Sequence, residues 1–492
     1  MDSTKDRKNK IAGITENIVL YVYSLIWVIF NCGRLSNDSF WEDEGFTIWL
    51  SRMSIPDMLH ATGEDVHPPL YYIFVKFFVT VFGESPLALR ITSFMAYTAI
   101  VIIALMIIRK LWSAGGAILM ITLLSVLHNA SVFVTEARMY ELAMLFILCA
   151  YLSLLHIMKD AGTVHFIIYG LSVAGAAYTH YYALVTVAIM SGLLFIYALA
   201  LNRKLIKGVL ITEALAVLSY SPWLIVLYRT FRNYKDDYWI QTIPSFGKCM
   251  RELYRSNIRL EWMMLIITVL AMTLVVVAYY CRNRATGVME KVTETEAETG
   301  VVYWLYIGVL SVVGTAVAGI TVSLIFRPLF YERYMYPAAV IAWVIQIYCL
   351  RRIRFGQIAA YVMALILFLG CIRSVMFRVD TENEWAKVTG ETIGSITDST
   401  EASATVIYSN EVTTEKLLGY YLPGHPAIMC DDPEENKTDD PGDEVIVISS
   451  PSGDADTVID GLEGRGYETI LMIPDTIIGQ TNADVRIMRY VD

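Results

Sequence analysis

The sequence predicts a mainly α polytopic membrane protein, with about eleven transmembrane helices and a small soluble α/β domain at its C-terminal end. Three observations predict it. Of the 492 residues, 56% are hydrophobic and only 17% charged, with a mean hydropathy of +0.50, more apolar surface than a water-soluble fold can bury. The apolar residues fall in runs of roughly 17 to 26, each long enough to cross about 30 Å of hydrocarbon as a helix. After residue 377 the pattern changes to short β-branched segments alternating with helical ones. The expected division is a transmembrane module over 1–377, with its first outer loop at 34–85, and an extracytoplasmic α/β domain over 378–492.

Taken in order, the expected spans are 14–33, 86–108, 113–132, 139–157, 164–180, 182–201, 208–227, 260–280, 301–326, 334–350 and 356–376. The first follows a basic start (Lys5, Arg7, Lys8, Lys10) and is expected to stay as an uncleaved anchor. The segment "HPPLYYIFVKFFVTVFG" (67–83) is too short to cross: from Pro68 to Gly83 a helix reaches only about 24 Å, and Lys76 sits in its middle. Tyr72, Lys76 and Thr80 recur at helical spacing and draw a polar stripe, which fits a helix lying in the membrane interface.

Loop charge supports that reading. With a cytoplasmic N-terminus and no crossing at 67–83, "RK" (109–110), Lys159, "NRKLIK" (202–207), "CRNR" (281–284) and "RRIR" (351–354) all face the cytoplasm. If 67–83 crosses, every one of them moves outside. The exception is 228–259, outside by this count yet carrying Arg229, Arg232, Lys235, Lys248, Arg251, Arg255 and Arg259. Those cations are expected to meet anionic lipid headgroups or a substrate phosphate.

The C-terminal strands are expected at "ATVIYSN", "DEVIVISS", "ETILMIPD" and "DVRIMRYV", with helices at "TTEKLLGYYL" and "ADTVIDGLEGRG". The glycines of "GLEGRG" (461–466) follow a helix and not a strand, so no phosphate loop is expected there. The seven cysteines are scattered, mostly in apolar runs (Cys32, Cys149, Cys349, Cys371), and form no CxxC pair or disulfide framework. The net charge is −10, much of it in "DDPEENKTDDPGDE" (431–444), so no nucleic-acid partner is expected.

The same alternation has a second consequence. "WEDEG" (41–45), "HPP" (67–69), "TEARMY" (135–140), "THYY" (179–182) and "RPLFYERYMYP" (327–337) all fall on the outer face. A transporter needs polar groups near the midplane with access from both sides. A one-sided set of carboxylates, histidines, arginines and tyrosines reads as an active site. Glycoside hydrolysis asks for two carboxyl groups. Transfer from a sugar phosphate asks for one base to activate the acceptor and cations to hold the leaving phosphate, which matches one acidic cluster and several arginines. Apolar grooves between spans could hold a lipid tail.

At these residues a resemblance becomes plain. "FWEDEGFTIWLSR", "HPPLYYIFVKFF" and "FGESPLALRITSF" resemble the N-terminal signature of the GT-C type membrane glycosyltransferases, above all the dolichyl-phosphate-mannose protein mannosyltransferase-like branch that includes the aminoarabinose transferases. "EARMYELAMLFILCAYLSL", "THYYAL" and "RYMYPA" are similar to later blocks of that branch, in the same order. The resemblance implies a polyprenyl-phosphate-linked sugar as donor and transfer on the outer face to a cell-envelope acceptor (lipid, glycan or protein), with inversion at the anomeric carbon.

Residue by residue, the resemblance puts Asp43 at the first-loop acidic position, as catalytic base or metal ligand, with Glu44 completing the family's "DE" pair. Glu136 stands at the second acidic position and Arg138 at a donor-phosphate contact. His67 occupies the place before the two prolines where aminoarabinose transferases carry a lysine, and Arg333 in "YERYMYP" would hold the lipid phosphate. Glu42 is an extra carboxylate that the family pattern does not demand. A divalent metal held by Asp43, His67 and His180 is admissible by residue type, the alternative being an unassisted carboxylate base. Each position also has a plainer reading: acids favour a helix N-terminus, a proline pair opens a helix, and interfacial aromatics anchor spans. The competing functions are a lipid or sugar transporter or flippase, and an oligosaccharyltransferase or ligase with a diphosphate-linked donor.

Overall fold

The computed structural model describes residues 2–491 apart from 66, 234–239, 286–291, 402, 410–412, 430–441 and 452–455. Most of the acidic stretch 431–444, and Lys235, therefore lie outside the described residues.

The chain begins with α1 (Asp2–Arg34), α2 (Glu42–Arg52), α3 (Ile55–Glu64) and α4 (Leu70–Phe82). α5 (Pro86–Ile103) continues through one π-helical turn at Ala104–Ile108 into α6 (Arg109–Leu111). Next come α7 (Ala114–Val126), α8 (His128–Phe133), α9 (Tyr140–Asp160), α10 (Thr163–Thr179), α11 (Tyr181–Ala200), α12 (Ile206–Asn233) and α13 (Phe246–Glu252). The last apolar helices are α14 (Glu261–Ala285), α15 (Val292–Ile325), α16 (Ala339–Arg352) and α17 (Gly356–Ser399). The C-terminal segment contains β1 (Thr405–Tyr408), α18 (Glu415–Tyr421), β2 (Ala427–Met429), β3 (Glu444–Ser449), α19 (Asp456–Glu463), β4 (Tyr467–Ile478) and β5 (Thr481–Tyr490).

Among the described residues, eight helices are long and apolar enough to cross a membrane, and all eight coincide with expected spans. The other three expected spans come out shorter. The run at 113–132 breaks at Leu127, which is extended (ψ 149°), into α7 and α8. The run at 164–180 yields the 17-residue α10. The run at 334–350 opens as a 3₁₀ segment around Pro337 before the 14-residue α16. The segment 67–83 yields the 13-residue α4, about 20 Å long. Gly83 (φ 81°) ends α4, and the Ser85 hydroxyl caps the Ala88 amide at 3.2 Å as Pro86 starts α5.

The chain divides into two compact units. Unit one comprises Met1–Gly33, Leu59–Phe74 and Thr92–Val375; unit two comprises Arg34–Met58, Val75–Ile91 and Met376–Asp492. α17 runs as one 44-residue helix past residue 377, where the change of composition places the end of the membrane module.

In unit one α9 is the central helix. Its span is 78% buried, whereas those of α1, α12 and α14 are 17% buried. The latter three turn rows of aliphatic side chains outward, such as Ile18, Val22, Leu25 and Ile29 on α1, a surface suited only to lipid. α9 is locked to α15 by a reciprocal pair of bonds: Trp304 Nε1–H donates to the Tyr151 carbonyl at 2.9 Å, and the Tyr151 hydroxyl donates to the Trp304 carbonyl at 3.2 Å. The helices approach so closely there that a Cβ on Gly308 would come within 2.3 Å of the Tyr151 hydroxyl. Two cations of 228–259 find carboxylates within the chain, Arg255 on Glu252 and Arg251 on Glu261, both at 3.2 Å.

Unit two carries a five-stranded mixed sheet in the order β2-β1-β3-β5-β4. β1 lies parallel to β2 and β3, while β5 is antiparallel to both β3 and β4. β4 and β5 form a hairpin turning at Gly479 (φ 65°), so the last two strands are joined without a helix. Val445, Val447 and Met488 pack against Ile459 and Leu462 of α19, each contributing about 1.5–3 kcal/mol by leaving water.

Glu444, at the start of β3, accepts from the Glu401 N–H and from Arg489 Nε at 2.9 Å, and these bonds lower its pKa below the ordinary glutamate value. A depressed carboxyl stabilises the fold fully above its unfolded pKa of about 4.3 and loses that contribution as pH falls through the folded value. Glu444→Gln is therefore expected to destabilise the sheet by about 0.5–1 kcal/mol at pH 7, a magnitude typical of a near-surface pair. Amide exchange of β3 and β5 in the intact chain should be faster in the variant at pH 7, and the difference should vanish once the pH falls below the lowered pKa of Glu444.

Candidate functional site

The predicted residues divide between the two units. Asp43 and Glu44 belong to unit two; His67, Glu136, Arg138, His180 and Arg333 belong to unit one.

In unit two the acidic run opens α2, with Glu42, Asp43 and Glu44 in the first turn, where acids oppose the positive end of the helix dipole. Helical spacing sends successive side chains in different directions, and the two central carboxylates have different fates. Glu44 is fully buried and takes a forked ion pair from Arg90: Nε to Oε1 at 2.8 Å and Nη2 to Oε2 at 2.9 Å. The same guanidinium donates to the carbonyls of Ser39, at 3.0 Å, and Asn37, and lies 4.5 Å over the Phe40 ring. Both oxygens of Glu44 are thus engaged in holding residues 37–44. Asp43 is half-buried on the neighbouring face of the turn.

α18 grips this loop. Leu417 packs so tightly on Gly45 that an added Cβ would sit 3.1 Å from Leu417 Cβ. Lys416 lies over the rings of Phe46 and Trp49 at 4.5 and 4.8 Å. The Tyr421 hydroxyl donates to the Asp38 carbonyl at 3.0 Å and accepts from the Phe40 N–H at 2.9 Å, while Tyr420 donates to the Asp38 carboxylate at 2.9 Å. Arg52 forks onto Glu84 and donates to the Gly419 carbonyl at 2.9 Å. "EKLLGYY" reads only as a short helix in sequence, and no local signal marks it as the clasp of a segment more than about 360 residues away.

In unit one, loops from four places in the chain converge on His180. This residue joins α10 to α11, is 2% exposed, and accepts the Tyr182 N–H at Nδ1 (3.2 Å), an arrangement that puts any proton of the neutral ring on Nε2. The His67 ring is 5.8 Å from it, Tyr140 5.6 Å and Tyr334 5.2 Å, with Tyr182 stacked on Tyr334. Arg138 and Arg333 lie within electrostatic reach of the same imidazole. Arg138 is 2% exposed; its carbonyl accepts from Ser93, whose hydroxyl also bonds Tyr71 of α4 at 2.8 Å. Glu136 is buried in the same loop, where its carbonyl accepts the Arg138 N–H. Arg333 stacks over Tyr331, 5.3 Å from the ring centre.

Two partners escaped the sequence reading, one half-buried and one buried. Asp65 places Oδ2 3.3 Å from His67 Nδ1, and Glu141 accepts from the Tyr336 hydroxyl at 2.5 Å, tying the start of α9 to the 3₁₀ segment that carries Arg333. Asp65 could have been noticed as the carboxylate two residues before the histidine; Glu141 lies in an apolar run with nothing to single it out. Of the residues read as metal ligands, His67 and His180 are neighbours in unit one. Among the described residues, the group whose ligand atoms all lie within 4.8 Å is a different one, His156, Asp160 and His165 at the other end of α9.

A bundle of long apolar helices, with polar loops gathered at one end of unit one, and a small mixed-sheet domain in unit two define a polytopic integral membrane protein. The comparisons agree with that class. Residues 66–247 match the family model of dolichyl-phosphate-mannose-protein mannosyltransferase. The fold is that of ArnT from Cupriavidus metallidurans: its crystal structure in the apo state matches with a TM-score of 0.59 at 12% identity, over 96% of this chain and 98% of that one. The structure of the same protein bound to undecaprenyl phosphate matches with a TM-score of 0.55, again at 12% identity, over 95% and 97%. No curated protein matches the sequence.

Proposed function

We propose that this protein is a membrane glycosyltransferase that moves a sugar from a polyprenyl phosphate to a cell-envelope acceptor on the outer face of the membrane, with inversion. The observation that carries this reading is the grouping of Arg138, Arg333, His67 and His180 inside a cage of tyrosines in unit one. Two guanidiniums near one imidazole, Arg138 buried and Arg333 half-buried, suit an anionic phosphate, and the tyrosine rings suit a sugar face. The ArnT relative was crystallised with undecaprenyl phosphate, which supports a lipid-phosphate donor. In this reading Arg138 and Arg333 stabilise the phosphate as it leaves. His67, oriented by Asp65, donates to a phosphate oxygen. Asp43, in unit two, is the base that this reading assigns to the acceptor hydroxyl, and Glu44 positions its loop through Arg90. Where a divalent metal is bound, Asp43 is the carboxylate that would hold it.

The test is sugar transfer by purified protein in lipid vesicles, supplied with a panel of polyprenyl phosphate sugars. At least one donor should be consumed. Arg138→Gln and Arg333→Gln should each weaken donor binding about 10- to 100-fold, the loss expected when a charged hydrogen bond is removed. A second reading is a ligase with a diphosphate-linked donor, whose two phosphates would use the two arginines that act on His180. Consumption of a diphosphate donor alone would establish it. Binding of all donors without consumption would point to a transporter.

A further inference from the structure

A second site lies at the opposite end of unit one. Helices α9, α14, α15 and α16 leave a cleft of about 690 Å³, walled mainly by aliphatic side chains including Leu274 and Val301. Lys159, Arg352, Tyr279 and Tyr348 border it. Three features do not follow from packing alone. Lys159 and Arg352 are close enough for their charges to repel, yet among the described residues neither makes an ion pair, and the neighbouring charge of Asp160 offsets Lys159 in part. Arg352 is held over the Tyr348 ring at 5.2 Å, so its guanidinium stays at the border. Finally, Leu274 is 58% exposed, an apolar wall that only another apolar group would cover.

Each cation also meets the negative end of its own helix, since Lys159 closes α9 and Arg352 closes α16. That attraction accounts for one cation at each helix end. It does not account for the apolar cleft beside them, or for two like charges held together on it.

We propose that this cleft binds an anionic phospholipid, with the headgroup phosphate between Lys159 and Arg352 and an acyl chain along α14 and α15. Anion and tail must come in one molecule, because the cations and the aliphatic wall belong to one continuous cleft. Cation pockets between transmembrane helices take up such headgroups, and Tyr279 and Tyr348 lie where a ring can bridge headgroup and chain. The site is separate from the one gathered around His180. Tyr140 at the start of α9 borders the His180 cluster, and the 21 residues to the end of that helix span about 30 Å. Loop charge places the cleft in the cytoplasmic leaflet. The inference does not depend on the activity proposed above.

The experiment is native mass spectrometry of the full chain released from nanodiscs containing equal parts phosphatidylglycerol and phosphatidylcholine. Phosphatidylglycerol should be retained preferentially. Lys159→Gln and Arg352→Gln should each reduce its retention about fivefold, the effect expected per cation at a membrane surface, while Lys159→Arg should retain it. Leu274→Trp, which fills the apolar wall and leaves the charges in place, should lower retention as well. Equal retention of the two lipids, or an enrichment that survives both charge substitutions, would overturn the proposal. So would an anion site indifferent to Leu274→Trp that takes inorganic phosphate as well as the lipid.

Discussion

Asp43→Asn should abolish sugar transfer, lowering the rate about 100- to 10,000-fold, while donor binding stays within about twofold of wild type. The amide keeps the size and shape of the carboxylate but has no basic oxygen to take the acceptor proton. Asp43 is half-buried in the first turn of a helix whose next residues, Glu44 and Gly45, are buried and immobilised. Its charge also opposes the positive end of the α2 dipole, so the thermal midpoint should fall only by the small shift that about 0.3–1 kcal/mol produces. The donor phosphate is assigned to arginines in unit one, so binding should survive the loss. Single-turnover transfer and equilibrium donor binding, measured on the same reconstituted preparation, separate the two effects. If Asp43 works as a metal ligand, added divalent ion will partly restore the variant's rate; if it works as a base, it will not. Retained transfer in Asp43→Asn would remove it from the reaction.

Arg90→Ala should destabilise unit two by about 3–5 kcal/mol, because it leaves the Glu44 carboxylate buried with no counter-charge. Glu44 and Arg90 are 0% and 4% exposed at their side chains, so water cannot replace the lost bonds. Arg90 also closes the carbonyls of Asn37 and Ser39, and those groups would be orphaned too. The double variant Glu44→Leu/Arg90→Met should recover much of the loss, since both ionic partners leave together and similar volume remains. Exchange of amide hydrogens in residues 37–52, measured for wild type, single and double variants, tests this directly. If the single variant exchanges like wild type, the ion pair does not hold the loop. Transfer activity should follow loop order and not charge, which separates a positioning role for Glu44 from a catalytic one.

The contrast between Asp43 and Glu44 illustrates how far the linear pattern reaches. Both read as one acidic pair from sequence, and a helix start was an open alternative for them. The structure gives Glu44 to a residue 46 positions away, along α5, where Arg90 reads only as a cation near the start of an apolar run. Clusters of like residues are visible in sequence; which member is buried depends on the helix face and on what packs there.

The eight long helices, the shortness of α4 and the change of character after the last span all follow from local pattern. The reason is that hydrocarbon imposes one length and one periodicity on any chain that crosses it. The breaks at Leu127 and Pro337 are weaker signals, because the groups freed there are met by distant partners, as when His128 N–H bonds the Arg255 carbonyl. The sequence also singled out His67, Arg138, His180 and Arg333 as candidates. Their grouping around one imidazole, the arrival of Asp65 and Glu141, and the grip of α18 on α2 were left to tertiary structure. Contacts of that kind join residues tens to hundreds of positions apart, and their energy depends on shape and burial that no window of sequence contains.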